Sequence, residues 1–296
     1  MPRAILRSLL FIPGDSDSKL AKADGCGADA VILDIEDSVS PGRKPLAREN
    51  IAAFLQRRPA ASRSAAVWVR INPLDDPLAL LDLAAIVRGA PDGIMLPKSA
   101  GDDDILRLAL YLDALEVQAG LQRGLIGILP VATETPAATL HLAGRRAAPH
   151  ARLRGITWGA EDLSAAIGAS SNVDETGAWA LTYRLARSLA LLAAHAAGVQ
   201  AIDTLYVDFR DEAGLRASSR AARAEGFTGR LAIHPAQVAP INESFTPSQA
   251  EIEHARRVLA AFDATPGAGV VALDGKMIDI PHLKQATRTL AAASTD

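Results

Sequence analysis

The chain has one cysteine, Cys26, in 296 residues. That excludes an intramolecular disulfide framework and any cysteine-based zinc cluster, and it suits a reducing cytoplasm. Cys26 reads as a packing residue. Long apolar runs are also missing. The Leu9-Leu10-Phe11-Ile12 segment stops at Pro13-Gly14-Asp15, too short for a secretory signal, so it reads as a strand. The Ala/Leu-rich stretch near Leu189–Ala197 is interrupted by His195 and falls short of the roughly 18 apolar residues a membrane span requires. A large excess of either charge is missing: the net charge of -3 supplies no field for nucleic acid or anionic membrane, so small molecules are the expected partners. Familiar catalytic signatures are missing as well. There is no Walker loop, no G-x-S-x-G elbow and no H-E-x-x-H pair. Gly25-Cys26-Gly27-Ala28-Asp29-Ala30 matches a dinucleotide fingerprint by letters, but it precedes a strand where the mechanism needs it to follow one.

What is present is an alternation of short apolar runs with longer stretches of helical spacing. Strands are expected at Ser8–Ile12, Ala30–Leu33, Val67–Ile71, Gly93–Leu96, Leu125–Val131, Ile156–Trp158, Ala201–Thr204 and Leu231–His234. Eight such units favour a closed (β/α)8 TIM barrel over residues 1–235, with an open doubly wound sheet as the alternative. After His234-Pro235 the pattern changes. Ser248 opens a helix over Glu251–Phe262, Val270–Leu273 and Asp274-Gly275 predict a strand and turn, and Pro281 opens a last helix. Residues 236–296 therefore read as a C-terminal extension, with its apolar tail a candidate subunit contact.

Five charged residues each stand just past an apolar strand: Asp37, Arg70, Lys98, Glu134 and Asp162. A parallel barrel gathers its strand C-termini at one rim, so these residues are expected around one pocket. Glu134 and Asp162 can each give one oxygen to a hard divalent ion that keeps several waters, as Mg2+ does. Glu161 is an alternative ligand, and each carboxylate alone could be a loop salt bridge or a helix cap. Arg70 offers a planar fork for a carboxylate or an enolate oxygen, or a partner for Asp34, Glu36 or Asp37. Asp34 reads as structural. Lys98 and the Phe11–Ser16 loop suit an anionic group. A Schiff-base role for Lys98 is conceivable, but with so many acids nearby the lysine is expected to stay charged. His234 can either touch a ligand or serve as a hydrogen-bonded structural residue.

These segments occur in a telling order. Arg7-Ser8-Leu9-Leu10-Phe11-Ile12-Pro13-Gly14, Leu33-Asp34-Ile35-Glu36-Asp37-Ser38-Val39, Val69-Arg70-Ile71-Asn72 and Leu96-Pro97-Lys98 come first. Glu134-Thr135, Gly159-Ala160-Glu161-Asp162-Leu163, Ile233-His234-Pro235 and Gly275-Lys276-Met277-Ile278-Asp279 follow. Together they resemble the citrate lyase β-subunit-like family of the HpcH/HpaI aldolase superfamily. The resemblance implies a (β/α)8 barrel, Mg2+, coenzyme A thioester substrates and a homotrimer or hexamer. It implies that Arg70 and Glu134 bind the keto-acid part, that Glu134 and Asp162 hold the metal, and that Asp279 enters a neighbouring subunit's site as acid or base. Lys98 and Asp37 would assist in substrate binding. The implied activity is a carbon-carbon lyase acting on a citramalyl-CoA, malyl-CoA or citryl-CoA type substrate. The alternatives are a citrate lyase β subunit acting on an acyl-carrier thioester, and a non-catalytic keto-acid or CoA-binding module.

Overall fold

The computed structural model describes residues 5–144 and 150–293. Its strands are β1 Ser8–Pro13, β2 Ala30–Asp34, β3 Ala66–Arg70, β4 Gly93–Leu96, β5 Gly127–Pro130, β6 Gly155–Thr157, β7 Gln200–Asp203 and β8 Gly229–Ala232. They form one sheet in the order β5-β4-β3-β2-β1-β8-β7-β6, with every recorded pairing parallel. Bridges from Ile128 to Leu153 and from Val131 to Thr157 then bring β5 to β6, so the sheet closes on itself almost completely. The fold is the expected barrel, not an open doubly wound sheet.

The helices are α1 Asp17–Leu20, α2 Lys44–Arg57, α3 Leu78–Ile86, α4 Asp102–Gln118, α5 Pro136–Gly144, α6 Glu161–Ile167, α7 Leu181–Ala196, α8 Glu212–Glu225, α9 Val238–Phe245, α10 Gln249–Asp263 and α11 Ile280–Ala293. Their starts have local causes. Asp102, Asp103 and Asp104 put negative charge on the first turn of α4, where the helix dipole favours it. Asp211 caps α8 by accepting the Gly214 N–H at 2.9 Å, and Gly226 ends that helix in the left-handed region.

Side chains alternate along a strand, so every second residue faces the same way. Leu9, Ile32, Trp68, Met95, Leu129, Ile202 and Leu231, one from each strand except β6, meet in one buried cluster that fills the barrel. Continuing those rows by two residues puts Phe11, Asp34 and Arg70 at the C-terminal rim facing inward. Register does the same work across strands, since Asp34 pairs with Arg70 between β2 and β3.

The final barrel strand differs from the sequence expectation. β8 ends at Ala232, and His234 does not extend it. The cause is a competing local interaction: His234 Nδ1 accepts the Ala236 N–H at 3.2 Å, and Gln237 Oε1 accepts the His234 N–H at 3.2 Å, which starts a short 3-10 turn at Pro235.

The chain divides into two compact units, one spanning Leu6–Asn242 and the other beginning at Glu243, within α9. In the second unit, Ser248 and Glu251 form a reciprocal capping box that opens α10. β9 Val270–Leu273 and β10 Lys276–Asp279 pair antiparallel around a two-residue Asp274-Gly275 turn, both residues at positive φ, as such hairpins demand. Val258, Phe262, Val271, Ile278 and Ala286 give this unit its own core. No helix among the described residues is long and apolar enough to cross a membrane.

Gly93 faces Trp68 across the β3–β4 pair, and a methyl group there would sit 2.2 Å from the indole ring. Gly93→Ala is therefore expected to overpack the barrel core and lower stability by about 1–3 kcal/mol, read as a lower urea midpoint at unchanged slope. An unshifted midpoint would mean that Trp68 has room to move.

Candidate active site

A cleft of about 500 Å³ opens at the C-terminal end of the barrel, lined by strand residues such as Arg70 and Met95 and by the segments after β1, β2, β5, β6, β7 and β8. Phe11, Met95, Val131, Trp158 and Leu231 line its inner part, and Asp34, Arg70, Glu134, Glu161 and Asp162 bring charge to it. Arg70, Glu134 and Asp162, which lie far apart in the chain, thus share one chamber.

Arg70 is locked in place. Its Nε donates to Asp34 Oδ1 at 2.6 Å and its Nη2 to Asp34 Oδ2 at 2.7 Å, a two-point fork. Nη1 lies 3.0 Å from Glu36 Oε2, and the guanidinium carbon stands 4.7 Å from the Phe11 ring centroid. Asp34 also accepts the N–H groups of Glu36 and Ser38, each at 3.0 Å. Burial alone would raise the Asp34 pKa, but its bonds to Arg70 and these amides win, and the carboxyl lies below its ordinary range. Asp34 is thus the structural anchor the sequence suggested. It takes Nε and one Nη2 N–H, Glu36 stands beside Nη1, and the Nη N–H groups these acids do not engage are left for a ligand.

Glu134 follows β5 and is 4% exposed. Burial, reinforced by the nearby Asp162 charge and only partly opposed by a hydrogen bond from the Lys98 N–H, pushes its pKa up to about 8. Two local features hold it there. Thr133 Oγ1 accepts the Gly159 N–H at 3.1 Å, tying the loop after β5 to the loop after β6. Gly159 leaves the space Glu134 occupies, because a Cβ would meet Glu134 Cγ at 2.9 Å. Asp162 begins α6 beside Glu161, and the two acids face different partners. Asp162 Oδ1 lies 3.3 Å from Lys98 Nζ, whereas Glu161 Oε1 accepts from Asn172 at 2.8 Å.

Lys98 has positive φ, an uncommon conformation for a residue with a side chain, and it aims its N–H at Glu134. Its ammonium donates to Glu36 and lies 3.3 Å from Asp37. Burial would lower its pKa, but Glu36, Asp162 and Glu134 outweigh that and hold it above the usual lysine range. Such a lysine stays charged and is a poor Schiff-base nucleophile. Asp37, with its side chain 58% exposed, meets Lys98 outside the cavity lining. His234 lines the cavity, stacked 4.7 Å from Phe209, so its structural and ligand-facing readings coexist. Asp279 belongs to the second unit, where it ends β10 and pairs with His282 at 2.5 Å; that partner holds its carboxyl below the usual range.

Three lining residues escaped the sequence reading. Lys19 and Lys22 are exposed cations at the cavity, carried by and just after α1; their spacing of three along one helical turn was the available signal. Trp158 was legible only as a strand end. It is fully buried, its indole donating to Asp203 at 2.7 Å, and Asp203 in turn anchors Arg187 and Arg230.

The acid pair suits a hard divalent cation. Both carboxylates line the same chamber, where burial, with the Asp162 charge nearby, disfavours an ionised Glu134 that has no cation beside it. No cluster of three His, Cys, Asp or Glu ligands occurs among the described residues; Glu134 and Asp162 could give two carboxylate oxygens to an ion that completes its shell with water or substrate oxygens.

The family model of the HpcH/HpaI aldolase/citrate lyase family matches residues 7–235. The chain belongs to this family. A family relative, (3S)-malyl-CoA thioesterase of Cereibacter sphaeroides, is 36% identical over 289 residues, covering 97% of this chain and 94% of that one. Mitochondrial citramalyl-CoA lyase of Mus musculus is 34% identical over 307 residues, covering 98% and 86%. The crystal structure of CitE from Mycobacterium tuberculosis in complex with magnesium, acetoacetate and coenzyme A is similar at a TM-score of 0.75 and 32% identity, over 99% of this chain and 100% of that chain.

A depressed carboxylate contributes stability above its unfolded pKa and loses it as pH falls toward the folded value. Asp34, with an ordinary value of 3.8, should therefore steepen acid unfolding below about that pH. Asp34→Asn is expected to lower stability at pH 7 and to flatten its decline between pH 4 and pH 2, measured by urea titration across that range. Parallel curves for the two proteins would remove the Asp34–Arg70 pair from the acid response.

Proposed function

We propose that the chain is a magnesium-dependent carbon-carbon lyase that cleaves a 3-hydroxyacyl-CoA of the citramalyl-CoA, malyl-CoA or citryl-CoA type to a keto acid and acetyl-CoA. The observation that carries this reading is the convergence of Arg70, Glu134 and Asp162 on one cavity, in a chain of the HpcH/HpaI aldolase/citrate lyase family. Relatives named for citramalyl-CoA lysis and structures holding magnesium with keto acids or coenzyme A support it.

Arg70 presents its open Nη edge to the substrate carboxylate and fixes its orientation. Glu134 and Asp162 would hold Mg2+, which when bound supplies Lewis-acid polarisation at the oxygen of the reacting carbon. The hydroxyl gives up one proton to solvent water as the carbon-carbon bond breaks. The bonding electrons pass to the thioester fragment as its enolate, and Asp279, acting as acid, returns one proton to carbon, so the step balances. The His282 contact favours ionised Asp279, the form that acts as base in the reverse, condensing direction. In a trimer or hexamer, Asp279 would serve the site of a neighbouring copy. Lys98 would hold Glu36 and Asp37 in place and, through its N–H, orient Glu134. Lys19 and Lys22 suit the phosphates of coenzyme A, which supports a free CoA thioester over a carrier-protein thioester.

A second reading has its own support: the 36% identical relative is named a thioesterase. Hydrolysis would yield the free hydroxy acid and CoA, lysis a keto acid and acetyl-CoA. Product analysis with purified protein on citramalyl-CoA, malyl-CoA and citryl-CoA is expected to give keto acid and acetyl-CoA, with turnover lost on chelation and restored by Mg2+. Free hydroxy acid as the product would replace the lyase with the thioesterase, and silence on every thioester despite keto-acid binding would favour a binding module.

Glu134→Gln and Asp162→Asn are each expected to weaken Mg2+ binding by about 10-fold or more, read by calorimetry. Asp279→Ala should abolish turnover while leaving Mg2+ and keto-acid binding intact. Near-normal turnover by that variant would exclude Asp279 from the reaction.

A further inference from the structure

We infer that this site selects a 2-oxo monocarboxylate with a short apolar substituent, of pyruvate type, over one bearing a second carboxylate; the inference rests on the lyase reading. The reacting carbon carries four groups. Its carboxylate goes to Arg70, its oxygen to the side of Glu134 and Asp162, and its thioester arm to the cavity mouth near Lys19 and Lys22. The fourth group is left facing the inner wall, which is built from Met95, Val131 and Leu231, all part of the barrel's apolar core.

That wall offers no cation. Asp34 and Glu36 flank Arg70 and its remaining Nη edge is taken by the first carboxylate, while Lys19 and Lys22 are exposed at the outside. The acidic side chains lining the chamber are Asp34, Glu134, Glu161 and Asp162, and the lining residue His234 is exposed beyond the end of β8, away from this wall. A second ligand carboxylate pointed inward would meet hydrocarbon on one side and like charge on the other, without the partner a buried anion requires. A methyl group would fill the same space favourably, and a hydrogen would leave it empty.

The test compares kcat/KM on citramalyl-CoA, malyl-CoA and citryl-CoA, whose fourth groups are methyl, hydrogen and carboxymethyl. Calorimetric binding of pyruvate, glyoxylate and oxaloacetate in the presence of Mg2+ gives the same ranking without turnover. Citramalyl-CoA is expected to lead malyl-CoA by about 10-fold or more and citryl-CoA by about 100-fold or more, with pyruvate the tightest of the free acids. Met95→Ala should shift preference from pyruvate toward 2-oxobutyrate, whose extra methylene would occupy the vacated space. Citryl-CoA or malyl-CoA turned over as well as citramalyl-CoA, or oxaloacetate bound as tightly as pyruvate, would overturn the inference. No turnover on any thioester, with pyruvate still the tightest acid, would sink the lyase reading and support the selectivity; loss of that binding order would sink the selectivity itself.

Discussion

The rim of this barrel gathers more negative charge than it neutralises, and most of its arrangement follows from that imbalance. Two like charges about 4 Å apart at a surface-like effective dielectric of 20 repel by about 4 kcal/mol. Packing Asp34, Glu36, Glu134 and Asp162 near one another is therefore costly unless cations stand among them. Arg70 answers Asp34 and Glu36, and Lys98 answers Glu36 with Asp37 and Asp162 alongside. Glu134 is left with a backbone N–H and a raised pKa. With Arg70 and Lys98 paired chiefly to other acids, the Glu134–Asp162 side of the rim has room for one more positive charge. In this account Mg2+ supplies it, and the anionic substrate follows.

The barrel around the rim provides rigidity more than chemistry. Strand register sets Asp34 opposite Arg70, Thr133 fastens the loop after β5 to the loop after β6, and Gly93 and Gly159 leave space for Trp68 and Glu134. Asp203 extends the same principle deeper, where it is 2% exposed and bonded to Trp158, Arg187 and Arg230. Fixed positions are what a site of this kind requires, since misplacement by an ångström weakens both orientation and electrostatic stabilisation.

Much of this was legible in the sequence because its physics is local. Runs such as Val31-Ile32-Leu33 announce a strand buried on both faces, and a charged residue just beyond an apolar run announces a barrel rim. The capping box at Ser248 and the Asp274-Gly275 turn are similarly written in a few adjacent residues. The harder features depend on distant partners. The end of β8 could not be read because His234 has strand-like neighbours and is diverted by Ala236 and Gln237. The roles of Asp203 and Trp158 arise only when β6, β7 and β8 lie side by side. Lys19 and Lys22 look like ordinary surface lysines until the segment after β1 brings them to the cavity lining. Glu161 and Asp162, adjacent in sequence and chemically alike, separate only through their contacts with Asn172 and Lys98.

The most direct measurement is a crystal structure of the protein grown with Mn2+ and pyruvate, using the anomalous signal of manganese to mark the cation. One strong anomalous peak bonded to Glu134 and Asp162 is expected, with the pyruvate carboxylate on Arg70. A metal bound elsewhere, or these two carboxylates turned away from the ion, would contradict it.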